Sequence, residues 1–139
     1  MNTKRFTALA FLGLLIIVAM LTVGCAAQAQ IIEDVTAQEA FTLIQENQSN
    51  PDFVIIDVRT PEEFAEGHVV NAINIDFRSE SFRDEIDNLD KNKTYLIYCR
   101  SGQRSADALS TMKELNFTKI YHMSGGILEW TAEGLPETK

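Results

Sequence analysis

TYLIYCRSGQRSADALSTMKEL, residues 94–115, is the stretch from which the architecture of this chain can be read. Its first five residues, Thr94–Tyr98, form an apolar run that predicts a buried strand. Cys99 follows this strand and opens the loop Cys99–Arg104. Beyond the loop, apolar residues recur every three positions, which predicts a helix; they are Ala106, Leu109, Met112 and Leu115. A thiol at the end of a core strand therefore faces the start of a helix.

The surroundings of Cys99 favour the thiolate over the thiol. Loop N–H groups, the positive end of the helix dipole and the guanidinium groups of Arg100 and Arg104 all stabilise negative charge. An unperturbed cysteine titrates near ~8.5. The helix terminus contributes about 0.3–1 kcal/mol, so a shift of roughly two units, at about 1.4 kcal/mol each, also needs the loop amides and at least one arginine. We predict a reactive cysteine; the alternative is an inert buried thiol that packs as a small hydrophobe.

Residues 1–24 are predicted to be an export signal. Lys4 and Arg5 give it a positive start, and residues 6–24 carry no charge. Residues 21–25 (LTVGC) resemble a bacterial lipobox, in which the cysteine, here Cys25, is lipidated and becomes the new N-terminus. Thr22 departs from that pattern, which usually has leucine three residues before the cysteine. A lipoprotein-type signal, followed by a linker over residues 25–30, is the expected arrangement.

Two alternatives to lipidation stay open. The small-residue pattern Ala27-Gln28-Ala29 suits an ordinary signal peptidase, which would release a soluble periplasmic or secreted protein. The uncharged residues 6–24 also approach the ~20 that span a bilayer, so an uncleaved anchor is the third outcome. All three place the rest of the chain outside the cytoplasm, because the positive end stays inside. We favour a lipid-anchored protein of the cell envelope, since a small and polar linker follows Cys25.

The remaining chain, residues 31–139, has the length of one domain. Removal of Lys4 and Arg5 takes the formal net charge of the chain from −8 to −10. An acidic body of this kind argues against nucleic-acid binding and against docking on anionic lipid headgroups. His68 and His122 are far apart in sequence and lack ligand-like neighbours, so no metal site is predicted. We expect a monomer without a cofactor.

Cys99 has no partner for a disulfide within this domain. The other cysteine of the chain is Cys25, which we expect to carry lipid. A single unpaired thiol is unusual in an exported protein. Chemistry at Cys99 is the best explanation for it.

Strand and helix patterns alternate along residues 31–139. This alternation predicts an α/β fold with a mostly parallel, doubly wound sheet flanked by helices, in which sites lie beyond the carboxyl ends of the strands. Cys99 falls at such an end. The predicted elements are an apolar start at 31–32, helices over 36–47, 60–67, 79–86 and after 104, strands over 53–56, 72–75, 94–98 and 119–122, and a last helix that opens at 124–126 and ends near 134. Thr36 with Glu39 and Thr60 with Glu63 form capping-box signatures at the starts of the first two helices.

In this order and spacing, several short motifs resemble the rhodanese domain, in the single-domain form of bacterial sulfurtransferases. The resemblance covers about residues 31–135. Val70-Asn71 departs from it, because the family commonly has proline and glycine after the glycine–histidine pair. The motifs that carry it are Asp57-Val58-Arg59 with Pro61-Glu62-Glu63-Phe64, Gly67-His68-Val69 with Ala72-Ile73-Asn74, the Cys99–Arg104 loop, and Gly125-Gly126 with Trp130.

The resemblance implies a sulfur relay. The Cys99 thiolate would take the outer sulfur of thiosulfate or of a persulfide donor and form a persulfide, which the amides of residues 100–104 would cradle. A thiol, cyanide or protein acceptor would then remove that sulfur, so the cycle has two covalent steps. From the acidic charge we expect no nucleic-acid partner, and from the lipobox we expect contact with the membrane through the N-terminal lipid.

The resemblance also assigns roles around Cys99. Arg100 and Arg104 would hold an anionic donor, because a planar guanidinium suits oxyanions. Ser101 would add a hydroxyl donor, and Gly102 would let the backbone turn closely around the sulfur. Gln103 would face solvent or the donor. Asp57 and Arg59 resemble the supporting pair of the family; the alternative is a capping acid and a surface arginine.

Loop length distinguishes this chain from the domains that carry the nearest rival function. Related phosphatase and arsenate-reductase domains enclose five residues between cysteine and arginine, which leaves room for a bound phosphate. Here only residues 100–103 lie between Cys99 and Arg104, which fits a single sulfur better than a tetrahedral oxyanion. A second rival is a non-catalytic rhodanese-like module that binds a partner protein. Such modules often lack the cysteine, which this chain keeps, so we place sulfurtransferase first.

Overall fold

The computed structural model describes residues 29–139. The predicted export signal over residues 1–24, the lipidation of Cys25 and all but the end of the linker lie outside these residues. Within the described range, no helix is both long and apolar enough to cross a membrane.

A five-stranded parallel sheet forms the centre of the domain, and its strands lie in the order Ile31–Val35, Lys119–Met123, Thr94–Tyr98, Phe53–Asp57 and Ile73–Asn74. Helices flank this sheet, so the α/β fold expected from the alternating pattern is confirmed. Its elements are β1 (Ile31–Val35), α1 (Ala37–Glu46), β2 (Phe53–Asp57), α2 (Pro61–Glu66), β3 (His68–Val69), β4 (Ile73–Asn74), α3 (Phe82–Asp87), β5 (Thr94–Tyr98), α4 (Gln103–Glu114), β6 (Lys119–Met123), α5 (Gly126–Ala132) and β7 (Glu137–Thr138).

Strand β5 lies in the middle of the sheet and separates two apolar cores. Because successive side chains of a strand point to opposite faces, Ile97 and Cys99 belong to the core beneath α4, whereas Leu96 and Tyr98 belong to the core that contains Trp130. The side chains of β5 from Tyr95 onward are almost completely buried. The apolar run at 94–98 is continuous because both faces of this strand are covered.

Both capping boxes predicted from the sequence are present. The hydroxyl of Thr36 accepts from the N–H of Glu39, and the hydroxyl of Thr60 accepts from the N–H of Glu63. In each case the glutamate carboxylate accepts the N–H of the threonine in return. Thr60 therefore fixes where α2 begins, directly after the carboxyl end of β2.

The structure differs from the predicted elements in several places. The apolar start expected at 31–32 belongs to the longer strand Ile31–Val35. The helix expected over 79–86 covers Phe82–Asp87, because the hydroxyl of Ser79 accepts the N–H of Ser81 and holds a turn there instead. The strand expected over 72–75 is reduced to Ile73–Asn74. A two-stranded antiparallel sheet of β3 and β7 was not predicted, since strands of two residues carry no readable pattern.

Truncation of Leu96 should test how far the central strand carries the stability of the domain. Leu96 is fully buried, so Leu96→Ala should lower the free energy of unfolding by about 2–5 kcal/mol. Leu128→Ala removes the same atoms from a residue that is 47% exposed, and it should cost no more than about 0.5 kcal/mol. Urea denaturation of both variants gives the comparison; equal losses would show that β5 is not central to the core.

Candidate active site

The Cys99 sulfur lies inside a loop of hydrogen-bond donors. The backbone N–H of Gly102 lies 3.1 Å from Cys99 Sγ, and the hydroxyl oxygen of Ser105 lies 3.4 Å from it. Cys99 itself is 1% exposed. The loop joins β5 to α4, so the thiol faces the first turn of α4, as the sequence indicated.

These donors lower the pKa of Cys99 below its ordinary value. Burial raises the pKa of the thiol, but hydrogen bonds from the Ser105 hydroxyl and from the N–H groups of Ser105, Ser101 and Gly102 outweigh that effect. The sequence argument had required at least one arginine. In the structure the leading stabilisers of the thiolate are backbone amides and one hydroxyl.

Gly102 and Gly126 let two loops pack against each other at the site. Gly102 has a φ of +97°, and a Cβ there would lie 2.0 Å from the carbonyl oxygen of Ser124. Gly126 has a φ of +62°, and a Cβ there would lie 2.4 Å from the carbonyl oxygen of Arg100. Both positions combine a left-handed backbone with a close approach, and only glycine satisfies both conditions.

The start of α5 binds the carbonyl groups of the Cys99 loop. Ile127 N–H donates to the carbonyl oxygen of Cys99 at 2.9 Å, and Leu128 N–H donates to that of Arg100 at 3.1 Å. These two N–H groups would otherwise lack partners at the helix terminus. The Gly125-Gly126 motif therefore supports the Cys99 loop from outside.

Arg104 forms a two-pronged ion pair with Glu63 of α2. Its two terminal nitrogens each lie 2.7 Å from a carboxylate oxygen of Glu63. Arg104 also interacts with the charge of Cys99, but the hydrogen bonds and charge of Glu63 raise its pKa more. The guanidinium expected to hold an anionic donor is thus already engaged by an acid of the neighbouring helix. Among the other loop residues, Arg100, Ser101 and Gln103 are exposed.

Asp57 and Arg59 form a buried ion pair at the carboxyl end of β2. Asp57 is fully buried and Arg59 is 6% exposed. Arg59 donates to both carboxylate oxygens of Asp57, at 2.7–3.0 Å, and also donates to the carbonyl of Gly67 at 2.6 Å. The Asn74 side chain donates to the carbonyls of both residues. The pair therefore ties together the segments after β2 and α2, beside the end of β5.

Sequence reasoning missed Ser105, because the apolar spacing led to its neighbour Ala106. In the structure Ser105 is buried and Ala106 is exposed. His122 and Asp34 were also missed as members of the site. His122 Nε2 lies 2.9 Å from the Ser105 hydroxyl, and its Nδ1 lies 2.8 Å from the Asp34 carboxylate. The one signal in the sequence was spacing: Ser105 lies four residues before Leu109, so the two side chains share one face of a helix.

No group of three or more histidine, cysteine, aspartate or glutamate side chains that could hold a metal ion occurs among residues 29–139. A cavity of about 340 Å³ lies elsewhere, and Phe41, Val69, Trp130 and Pro136 are among its lining residues. Among the described residues, the Cys99 loop is therefore the candidate active site.

The family model of the rhodanese-like domain, compared by sequence, matches residues 36–133, so the chain belongs to the rhodanese-like family. A sulfurtransferase of Allochromatium vinosum is 30% identical over 95 residues, which cover 68% of this chain and 87% of that protein. A tRNA uridine(34) hydroxylase of Pectobacterium atrosepticum is 35% identical over 97 residues, but these cover only 27% of its length. The crystal structure of a rhodanese-like domain protein from Staphylococcus aureus, 31% identical, superposes with a TM-score of 0.64 and covers 77% of this chain and 99% of that chain.

The ion pair of Glu63 with Arg104 should make stability depend on pH. Hydrogen bonding to Arg104 lowers the pKa of Glu63 from 4.5 to about 2. Because the pKa of Glu63 is lower in the folded chain than in the unfolded chain, the ion pair stabilises the fold fully above about pH 4.5. This stabilisation is lost as the pH falls from about 4.5 towards 2. Glu63→Gln should therefore destabilise the domain at neutral pH and have little effect near the lower limit.

Urea denaturation of the wild type and of Glu63→Gln across this pH range measures the effect. Glu62→Gln is the matched control, since it removes one charge from the exposed side of the same helix and leaves the Arg104 contact intact. A difference between wild type and Glu63→Gln that stays constant with pH would contradict the ion pair.

Proposed function

We propose that this rhodanese-like domain is a sulfurtransferase that moves a sulfane sulfur through a persulfide on Cys99. The observation that carries the proposal is the convergence of N–H and hydroxyl donors on Cys99 Sγ, with a pKa of the thiol below its ordinary value. Such donors favour a nucleophilic thiolate. The sulfurtransferase from Allochromatium vinosum, which this chain matches over most of its length, supports the same activity.

The first step transfers sulfur from the donor to the enzyme. The Cys99 thiolate attacks the outer sulfur of thiosulfate; its lone pair forms the new S–S bond, and the electron pair of the old S–S bond leaves with sulfite. Cys99 then carries a persulfide with one negative charge, and the total charge is unchanged. No oxidant or reductant is consumed in this step.

The second step returns Cys99 to its starting state. A thiolate or cyanide attacks the outer sulfur of the persulfide, and the bond to Cys99 breaks with its electron pair on Cys99 Sγ. The same N–H and hydroxyl donors that stabilise the thiolate for attack also stabilise it as the leaving group. One set of hydrogen bonds therefore serves both covalent steps.

Arg100 is the residue that we assign to the anionic donor. It is exposed and follows Cys99 directly, whereas Arg104 is held by Glu63. An exposed guanidinium attracts a dianion such as thiosulfate without having to break an existing ion pair. Arg104, through its ion pair with Glu63, fixes the position of α4 against α2.

Incubation with thiosulfate tests the proposed function. The mass of the intact wild-type chain should increase by one sulfur atom, and that of Cys99→Ser should not change. Arg100→Ala should raise the KM for thiosulfate by up to about fivefold, since exposed charge pairs contribute about 0.2–1 kcal/mol. Arg83→Ala is the matched control, because it removes an arginine that pairs with Glu114 at the far end of α4.

A wild-type mass that changes with neither thiosulfate nor a persulfide donor would overturn sulfur transfer and would favour the non-catalytic binding module. Equal KM increases in Arg100→Ala and Arg83→Ala would show that the overall charge matters and that Arg100 has no specific role.

A further inference from the structure

Four side chains form a continuous hydrogen-bonded chain from the buried thiol to the surface. Cys99 Sγ lies 3.4 Å from the hydroxyl oxygen of Ser105, which lies 2.9 Å from His122 Nε2. His122 Nδ1 lies 2.8 Å from a carboxylate oxygen of Asp34. The side chain of His122 is 6% exposed and that of Asp34 is 72% exposed. The chain links α4, β6 and β1, and its members come from distant parts of the sequence.

The chemistry of these groups fixes where the protons lie when Cys99 is a thiol. A carboxylate only accepts hydrogen bonds, so the Nδ1 of His122 carries a proton and donates it to Asp34. In the neutral ring, Nε2 is then an acceptor, and the hydroxyl of Ser105 donates to it. The oxygen of Ser105 in turn presents a lone pair to the S–H of Cys99. In each of these three hydrogen bonds, the donor is therefore the group nearer to Cys99 and the acceptor is the group nearer to Asp34.

The same geometry fits the ionised state with the direction of two hydrogen bonds reversed. The proton of Cys99 passes to the oxygen of Ser105, and the original proton of Ser105 passes to His122 Nε2. The products are a thiolate, an unchanged serine and an imidazolium, so one proton has moved and no electron has. Ser105 then donates to the thiolate, and His122 donates to Ser105. The carbonyl of Gly102, 3.0 Å from Ser105 Oγ, is a competing acceptor for the same hydroxyl proton.

We propose that Ser105, His122 and Asp34 form a proton relay that takes the proton of the Cys99 thiol and holds it on His122. The inference rests on the proposed function, because it explains how a buried thiol becomes the nucleophile of sulfur transfer. Ser105 touches the reacting sulfur, whereas His122 and Asp34 are positioning residues that act through it.

The surrounding charges suit an imidazolium in this place. Asp34 lies on one side of His122 and the Cys99 thiolate lies beyond Ser105 on the other, so the buried cation has two anionic neighbours. Arg104, whose charge interacts with that of Cys99, is paired with the carboxylate of Glu63. Thiolate and persulfide each carry one negative charge, so His122 keeps its proton as a counter-charge throughout the cycle.

The rate of Cys99 alkylation by iodoacetamide tests the relay without any sulfur donor. In the full chain, followed on the Cys99 peptide by mass spectrometry, His122→Gln should react several-fold more slowly than wild type at neutral pH. Glutamine can still hydrogen-bond to Ser105 but cannot take up a proton. Asp34→Asn should slow the reaction in the same direction. In alkaline solution, where the thiol ionises without the relay, all the rates should converge.

Glu33→Gln is the matched control for Asp34→Asn. It removes a negative charge from the adjacent residue of β1, whose side chain points to the opposite face of the sheet. Its alkylation rate should equal that of wild type. Asp34 is mostly exposed, so Asp34→Asn keeps the test informative if His122→Gln fails to fold.

Nitrogen NMR of His122 gives a second and independent readout. The ring nitrogen signals of wild type should differ from those of Cys99→Ser, which should shift towards the form with a proton on Nδ1 alone. Alkylation of wild-type Cys99 should produce the same shift. A purely structural role of His122 would leave its protonation indifferent to the charge on residue 99.

The relay is overturned if His122→Gln and Asp34→Asn alkylate like wild type across the pH range, or if the His122 signals are identical in wild type and Cys99→Ser. Persulfide formation from thiosulfate under these outcomes would leave the proposed function intact. Conversely, an absent persulfide with slowed alkylation and coupled NMR signals would reject sulfur transfer and leave the relay as a property of the thiol.

Discussion

The close approach of α5 to the Cys99 loop is the constraint on which the site depends. The first N–H groups of that helix bind the carbonyls of Cys99 and Arg100 from outside, which leaves the amides of the loop to converge on the sulfur. The approach needs Gly126, since a Cβ there would meet the carbonyl oxygen of Arg100 at 2.4 Å. Gly102 makes the matching contact with Ser124 on the other side. Packing between the starts of α4 and α5 thus determines that the N–H groups of the loop face the sulfur.

Hydrogen bonds and charges have different tasks at this site. Burial of Cys99 opposes ionisation, and the donors that overcome it are short-range: three backbone N–H groups and the hydroxyl of Ser105. A hydrogen bond to a charged group contributes about 1.5–3 kcal/mol, so a few such bonds offset the cost of burying a thiolate. Arg104, by contrast, pairs its guanidinium group with the carboxylate of Glu63. That pair joins α2 to α4 and so connects the capping box at Thr60 to the Cys99 loop.

Local patterns were sufficient to predict the architecture and the place of the thiol. The apolar run before Cys99, the helical spacing after it and the capping box at Thr60 each depend on residues close in sequence, and each is present in the structure. Contacts between distant segments left no such pattern. Glu63 and Arg104 are 41 residues apart, and Asp34 and His122 are 88 apart, so their pairing follows from strand order.

Ser105 illustrates the same limit at short range. The apolar spacing predicted that Ala106 faces the core, but Ser105 is the buried residue and Ala106 is exposed. Which of the two is buried depends on how α4 packs against β6. A polar residue in a core-facing position stands out only when its partner is known. Here that partner is His122, on a strand that neighbours β5. The sequence therefore indicated a reactive thiol, and the structure identified the groups that stabilise it.

The pKa of Cys99 in the folded chain tests the account most directly. In a Cys25→Ser background, which leaves Cys99 as the one cysteine of the chain, the ultraviolet absorbance of the thiolate can be titrated with and without denaturant. The account predicts that the pKa of Cys99 is lower in the folded chain than in the unfolded chain, because the loop donors exist only after folding. An equal or higher pKa in the folded chain would contradict it.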